Sequence, residues 1–172
     1  VAIAIDSGDR LFVTDEFNKR VSVFDSRGKF LYKWGSEGVN KGDLRSPSGI
    51  AIDGSDNVYV ADQYSNQVTK FSDTGEYIES WGSEGTGDGQ FNMPWGLAVD
   101  VPGNVYVADW RNDRIQKFSP EGDFITRFGS SGESDGEFNR PSSVDVDSRG
   151  NIYVADWGNN RVQIFDEHGD LI

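Results

Sequence analysis

The stretch Gly103-Asn-Val-Tyr-Val-Ala-Asp-Trp-Arg-Asn-Asp-Arg-Ile-Gln-Lys-Phe118 reads as two strands joined by a polar turn. Residues 105–108 and 114–118 carry β-branched and aromatic side chains in near alternation, the pattern of a pleated, half-buried surface. Between them, residues 109–113 are rich in side chains that hydrogen-bond their own backbone, which favours a chain reversal. The first strand of this hairpin recurs at Arg10 to Asp15, Asn57 to Asp62 and Asn151 to Asp156. The closing residues Asp15, Asp62, Asp109 and Asp156 stand 47 residues apart at every step. Pro47, Pro94 and Pro141 keep that step, as do Gly28, Gly75, Gly122 and Gly169, and Phe24, Phe71, Phe118 and Phe165. An ungapped period sustained along the whole chain predicts a repeat architecture.

Each unit predicts four short strands. In the second unit they are residues 49–53, 57–61, 67–71 and 76–81, followed by a glycine-rich connector that runs to Phe91 and Pro94. Four strands and a connector, repeated, make the pattern of a propeller blade. The first strand of each unit is almost wholly apolar (Ile50, Ala51, Ile52; Leu97, Ala98, Val99), as expected where both faces of a blade pack against neighbours. The fold class predicted is therefore all-β, a β-propeller of four-stranded antiparallel blades. Four blades, at about 1–34, 48–81, 95–128 and 142–172, fall in one domain over residues 1–172.

A compact chain of 172 residues buries roughly 70% of its unfolded surface, enough for a substantial core. The 29 acidic side chains outnumber the 16 basic ones, for a formal charge of −13. That field repels phosphate backbones and anionic lipid, so neither nucleic acid nor membrane insertion is expected. There is no cysteine, hence no disulfide frame, no thiolate zinc site and no indication of redox compartment. No apolar run is long enough to span a bilayer, and no signal peptide is visible. The chain begins in mid-pattern without Met. Its location stays open, leaning to an extracytoplasmic or secreted setting.

Over its whole length the sequence resembles the NHL-repeat propellers. The third unit carries the signature best, in Pro94 to Asp100, Gly103 to Asp109, Asn112 to Phe118 and Phe128-Gly129-Ser130. Departures are local: Ser65 and Gln67 replace the usual Asn and Arg, and Ser142-Ser-Val-Asp145 replaces Gly-Ile-Ala. The resemblance implies a ring usually closed by six blades, of which this chain holds four. It leaves open a piece of a larger propeller, a ring closed by other means, or copies joined as a homo-oligomer through exposed blade ends. Propeller lactonases and amidating lyases related to the family rely on metal sites, while its RNA-binding members use strongly basic surfaces.

The residues themselves point away from catalysis. The pairs Asp15/Arg20, Asp109/Arg114 and Asp156/Arg161 recur in most units, so a structural role is expected: the aspartate ties its turn and the arginine bridges to a neighbour. An exposed pair of this kind contributes only about 0–1 kcal/mol, and Gln67 should leave blade two with the weakest such turn. Asp6, Asp53, Asp100 and Asp147 suit turn-capping, because no bidentate glutamate follows at a calcium-ligand spacing. His168 is the only histidine and cannot build a multi-histidine zinc site. Asp145 interrupts an inner strand where other units place Ala4, Ala51 and Ala98, and is expected to be solvated. No metal and no cofactor are expected.

One rim is more informative. The turns between second and third strands and the blade connectors emerge on the same face of a propeller. That rim collects Phe17, Tyr64, Trp95, Trp110 and Trp157, with Arg111 and Arg140 adding positive charge to an acidic surface. Aromatic platforms beside the amides of Asn112, Asn159 and Asn160 suit a protein or peptide partner ahead of carbohydrate. The competing structural reading is packing across blade junctions. Glu16 and Gln63 occupy the places of Trp110 and Trp157 in the first two units, which argues for exposure there. The expectation is a non-catalytic binding module. The alternatives are a propeller hydrolase or lyase whose catalytic residues lie outside this chain, and a self-assembling structural array.

Overall fold

In the computed structural model, which describes residues 1–172, fifteen strands form four antiparallel sheets. The first blade pairs β1 (Ile3–Ile5), β2 (Leu11–Asp15), β3 (Arg20–Phe24) and β4 (Phe30–Trp34) in that order. The second pairs β5 (Pro47–Ile52), β6 (Val58–Asp62), β7 (Gln67–Phe71) and β8 (Tyr77–Trp81). The third pairs β9 (Pro94–Val99), β10 (Val105–Asp109), β11 (Arg114–Phe118) and β12 (Phe124–Phe128). The all-β propeller of antiparallel blades is thus the observed fold, with one difference. The fourth sheet has three strands, β13 (Pro141–Val146), β14 (Ile152–Asp156) and β15 (Arg161–Phe165), and only an isolated bridge between Phe165 and Leu171 stands in the fourth place. The sheets form an arc that does not close within this chain. No helix is long and apolar enough to cross a membrane.

The inner strands begin earlier than the side-chain pattern suggests. Pro47, Pro94 and Pro141 are their first residues, opposite Asp62, Asp109 and Asp156, and the register shifts just after each. A proline donates no ladder hydrogen bond, so it is tolerated at a strand start beside a bulge. The bulge brings a glycine against the next blade: a Cβ on Gly96 would lie 2.7 Å from Ser143 Cα. Gly122 repeats that constraint at the outer turn, where φ is +82° and a Cβ would meet the Trp81 ring at 2.6 Å. The period-47 glycines of the later blades therefore receive an aromatic side chain from the blade before.

The core is three clusters, one per blade junction. Val60, Phe71 and Leu44 belong to the first, Tyr59, Val68, Phe91 and Leu97 to the second, and Tyr106, Ile115, Phe138 and Val144 to the third. Each Tyr59-type ring also reaches back to cap a turn: Tyr59 Oη donates to Asp53 Oδ2 at 3.1 Å, and Tyr106 Oη to Asp100 Oδ2 at 3.2 Å. Where no blade follows, the same residue types are bare. Val162 is 63% exposed whereas Ile115 and Val68, one and two repeats earlier, are fully buried.

Candidate functional site

The rim is assembled by hydrogen bonds from the turns between second and third strands to the blade connectors. In blade three, Trp110–Asn112 forms one 3-10 turn closed by Asp113 in the left-handed region, at φ 51°. The Arg111 backbone N–H donates to Asn92 O at 3.1 Å, and Asn112 Nδ2 donates to Gly85 O at 2.9 Å. Blade four repeats the arrangement, with the Gly158 N–H on Asn139 O at 2.7 Å and Asn159 Nδ2 on Gly132 O at 2.9 Å. Turns and connectors thus share one face.

Asp109 anchors this rim from below. Its carboxylate is fully buried and accepts from the Asn92 N–H at 2.7 Å, Asn112 Nδ2 at 2.8 Å, Arg114 Nε at 2.8 Å and Gln116 Nε2 at 3.1 Å. Burial pushes the carboxyl above its ordinary value, against the pull of those donors. The Arg114 guanidinium also donates to the connector carbonyls of Thr86, Gly87 and Gln90, each at 2.8 Å. Arg161 does the same in blade four, reaching Asp156, Ser134 O and Glu137 O. The repeated Asp–Arg pair is therefore a clamp on the connector, and in blade three it is buried.

Blade two differs from the weak turn its Gln67 suggests. Asp62 accepts four backbone N–H groups instead, from Arg45, Ser46, Tyr64 and Ser65. The turn itself is well tied; what is missing is any side chain reaching from Gln67 to the connector. The capping aspartates behave as read: Asp53 Oδ1 accepts from the N–H groups of Ser55 and Asn57, both at 2.9 Å. Asp145 is exposed at the central channel, its Oδ1 accepting from the Val146 N–H at 2.9 Å. No group of three or more His, Cys, Asp or Glu side chains is placed to hold a metal ion.

The structure brings part of the aromatic set together. Trp95, Trp110 and Trp157, with Ser142, line a cleft of about 190 Å³ at the junction of blades three and four. The Trp95 and Trp110 rings lie 5.4 Å apart at 56°, an inclined aromatic pair. The Arg140 guanidinium sits over the Trp110 ring at 5.0 Å, and that of Arg111 at 5.6 Å. Trp95 is 41% exposed, Trp157 61% exposed, and Trp110 half-buried. Phe17 and Tyr64 are exposed on the turns of blades one and two and do not line the cleft.

Two expectations about this rim need correction. Asn112 and Asn159 are not free amides for a ligand, because each spends its Nδ2 on a connector carbonyl and on its own blade's aspartate. Gln63, whose polarity argued for an exposed position, is buried, with its backbone N–H on Ser46 O at 3.0 Å. Exposure here varies from blade to blade. Sequence reasoning also missed Ser142 in the cleft wall. The available signal was its place one period after Trp95.

The NHL repeat model matches residues 44–71, 91–118 and 138–165, each span running from the end of a connector to the third strand of a blade. Curated protein sequences give no match. Among solved structures, a streptogramin B lyase is similar at 14% identity and a TM-score of 0.77, over 99% of this chain and 52% of that one. Virginiamycin B lyase from Staphylococcus aureus is similar at 15% and 0.75, over 99% and 53%. Hydrazine synthase from Kuenenia stuttgartiensis is similar at 16% and 0.74, over 99% and 47%. The chain spans about half the length of these structures, and identities this low speak for the fold alone. With its three matched repeats on blades of this form, the chain belongs to the NHL-repeat propeller family.

Proposed function

We propose that the chain is a non-catalytic recognition module whose rim binds a protein or peptide partner at the junction of blades three and four. The observation that carries this reading is the cleft of Trp95, Trp110 and Trp157 with Arg111 and Arg140 at its edge. Aromatic and arginine side chains dominate the energetic centres of protein interfaces. The repeat supplies a control for the fold's own demands. Core positions such as Val60 (Val13, Val107, Val154) and Phe71 (Phe24, Phe118, Phe165) keep their residue in every unit, whereas the places of Trp110 are taken by Glu16, Gln63 and Trp157, and those of Trp95 by Ser48 and Ser142. The blade does not need an indole there. Carbohydrate is less well served, since Asn112 and Asn159 spend their amide nitrogens on the scaffold and Ser142 is the only polar side chain in the wall.

The test is selection of binders from a random peptide display library against the 172-residue chain, followed by measurement on a Trp95→Ala/Trp157→Ala variant. Trp95 is 41% and Trp157 61% exposed, so the variant should keep its unfolding free energy to within roughly 1 kcal/mol. Binders should lose most of their affinity for it. Equal binding to the variant, or a library that yields no binder, would sink the reading.

A further inference from the structure

Of the ten arginines, Arg27, Arg45, Arg111 and Arg140 form no ion pair, and of these four Arg111 and Arg140 lie over an indole ring. The salt bridges of the chain engage Arg10, Arg20, Arg114, Arg127, Arg149 and Arg161. Arg111 and Arg140 are exposed, form no ion pair and make no side-chain hydrogen bond, although acidic residues outnumber basic ones 29 to 16. Their backbones are fixed: the Arg111 N–H donates to Asn92 O at 3.1 Å, and the Arg140 N–H to Asp113 Oδ1 at 2.7 Å. Arg140 holds a left-handed backbone at φ 56°. Both guanidiniums lie over the Trp110 ring, with their N–H donors unspent.

We propose that the segment recognised at this cleft is an acidic peptide that presents one large apolar side chain flanked by Asp or Glu. This rests on the recognition reading above and adds the chemistry of the ligand. The apolar side chain enters between Trp95, Trp110 and Trp157, in an open cleft of about 190 Å³. The flanking carboxylate takes the N–H groups of Arg140 and Arg111. A guanidinium held over an aromatic ring loses less freedom when it forms such a forked pair. A basic partner would be drawn by the net charge of −13 but would bring its cations against these two arginines. Beyond about 8 Å the field is screened at physiological salt, so contact chemistry at the cleft decides.

The five indole N–H signals of the ¹⁵N-labelled chain give a direct readout. Those of Trp34 and Trp81 are buried and serve as internal controls of folding. The probe is an end-capped heptapeptide with Asp-Phe-Glu at its centre. It is compared with its Asn-Phe-Gln and Asp-Gly-Glu counterparts, and with a neutral peptide ending in a free C-terminal Phe. The acidic peptide should shift the signals of Trp95, Trp110 and Trp157 and leave Trp34 and Trp81 in place. The amide peptide should bind at least about tenfold more weakly, the loss of one charge-assisted contact, and the glycine peptide should not bind. In Arg111→Gln/Arg140→Gln, acidic and amide peptides should bind alike. Equal binding of acidic and amide peptides to the unaltered chain, or tighter binding of the free C-terminus, overturns the acidic segment but leaves a recognition cleft. Failure of every peptide to shift the three cleft indoles overturns both.

Discussion

Replacing Arg114 by Met should destabilise the chain far more than the same change at Arg20, although the two occupy equivalent places in the repeat. The Arg114 side chain is 5% exposed and its partner Asp109 is fully buried, whereas the Arg20 and Asp15 side chains are 31% and 25% exposed. Arg20 bonds only Asp15, at 3.1 Å, while Arg114 bonds Asp109 and three connector carbonyls. Met preserves the apolar stem and removes the charge. It leaves a buried carboxylate without its countercharge, a loss that costs about 3–5 kcal/mol when one partner of a buried pair is removed. An exposed pair costs about 0–1 kcal/mol. For a chain of this size each kcal/mol shifts the midpoint by roughly 2–4 °C. Thermal unfolding followed by circular dichroism should therefore fall by about 6–20 °C for Arg114→Met and by less than about 4 °C for Arg20→Met. Equal shifts would refute the claim that the clamp on the connector, rather than the ion pair alone, carries the stability.

The converse change, Gln67→Arg, supplies blade two with the missing clamp on its connector and should raise stability by about 1–2 kcal/mol in urea unfolding, within the range of such additions. Acid should unfold the chain as pH falls below the ordinary carboxylate value of 3.8. At Asp53, burial raises the carboxyl, but Asn57, Ser55 and Tyr59 outweigh it and hold it low; Asp15, Asp43, Asp56, Asp147 and Asp166 are also held low. A carboxyl depressed by folding contributes stability above its unfolded value and loses it as pH drops through the folded value, so a pH series of unfolding midpoints should fall on the acid side. Asp109, raised by burial, acts with the opposite sign and offsets part of that trend.

The strands were legible because a period of 47 residues repeats the same local pattern four times, and each copy reinforces the others. The hairpin of β10 and β11 runs from Val105 paired with Phe118 to Asp109 paired with Arg114, close to the limits read from side chains. The strand starts at Pro47, Pro94 and Pro141 were not legible, since a bulge leaves no mark on apolar alternation. Nor was the reach of Arg114, whose partners Thr86, Gly87 and Gln90 are backbone carbonyls 24 to 28 residues away. Side-chain identity does not encode a carbonyl. The site was partly legible: phase within the repeat placed seven residues on one rim, but the gathering of Trp95, Trp110 and Trp157 depends on how blades three and four abut. Phe17 and Tyr64 share the phase and lie on other blades.

Repetition also separates what a residue is from what its neighbours make of it. Tyr59, Tyr106 and Tyr153 are the same residue at the same phase, yet the first two are buried and the third is 36% exposed. Ile3 is exposed where Ile50, Leu97 and Val144 are buried. Burial in this fold is a property of the junction, so a conserved phase predicts the type of side chain and not its surroundings. The rim obeys the complementary rule. Its residues change from unit to unit while the clamp below them recurs in blades three and four, as Asp109 with Arg114 and Asp156 with Arg161. A buried scaffold thus holds turns whose outward side chains are free to differ. At a single junction Trp95, Arg111 and Arg140 have no like residue at their phase in any other unit, and Trp110 and Trp157 stand where the first two units carry Glu16 and Gln63. Packing explains why the turns are there; it does not explain why these side chains are.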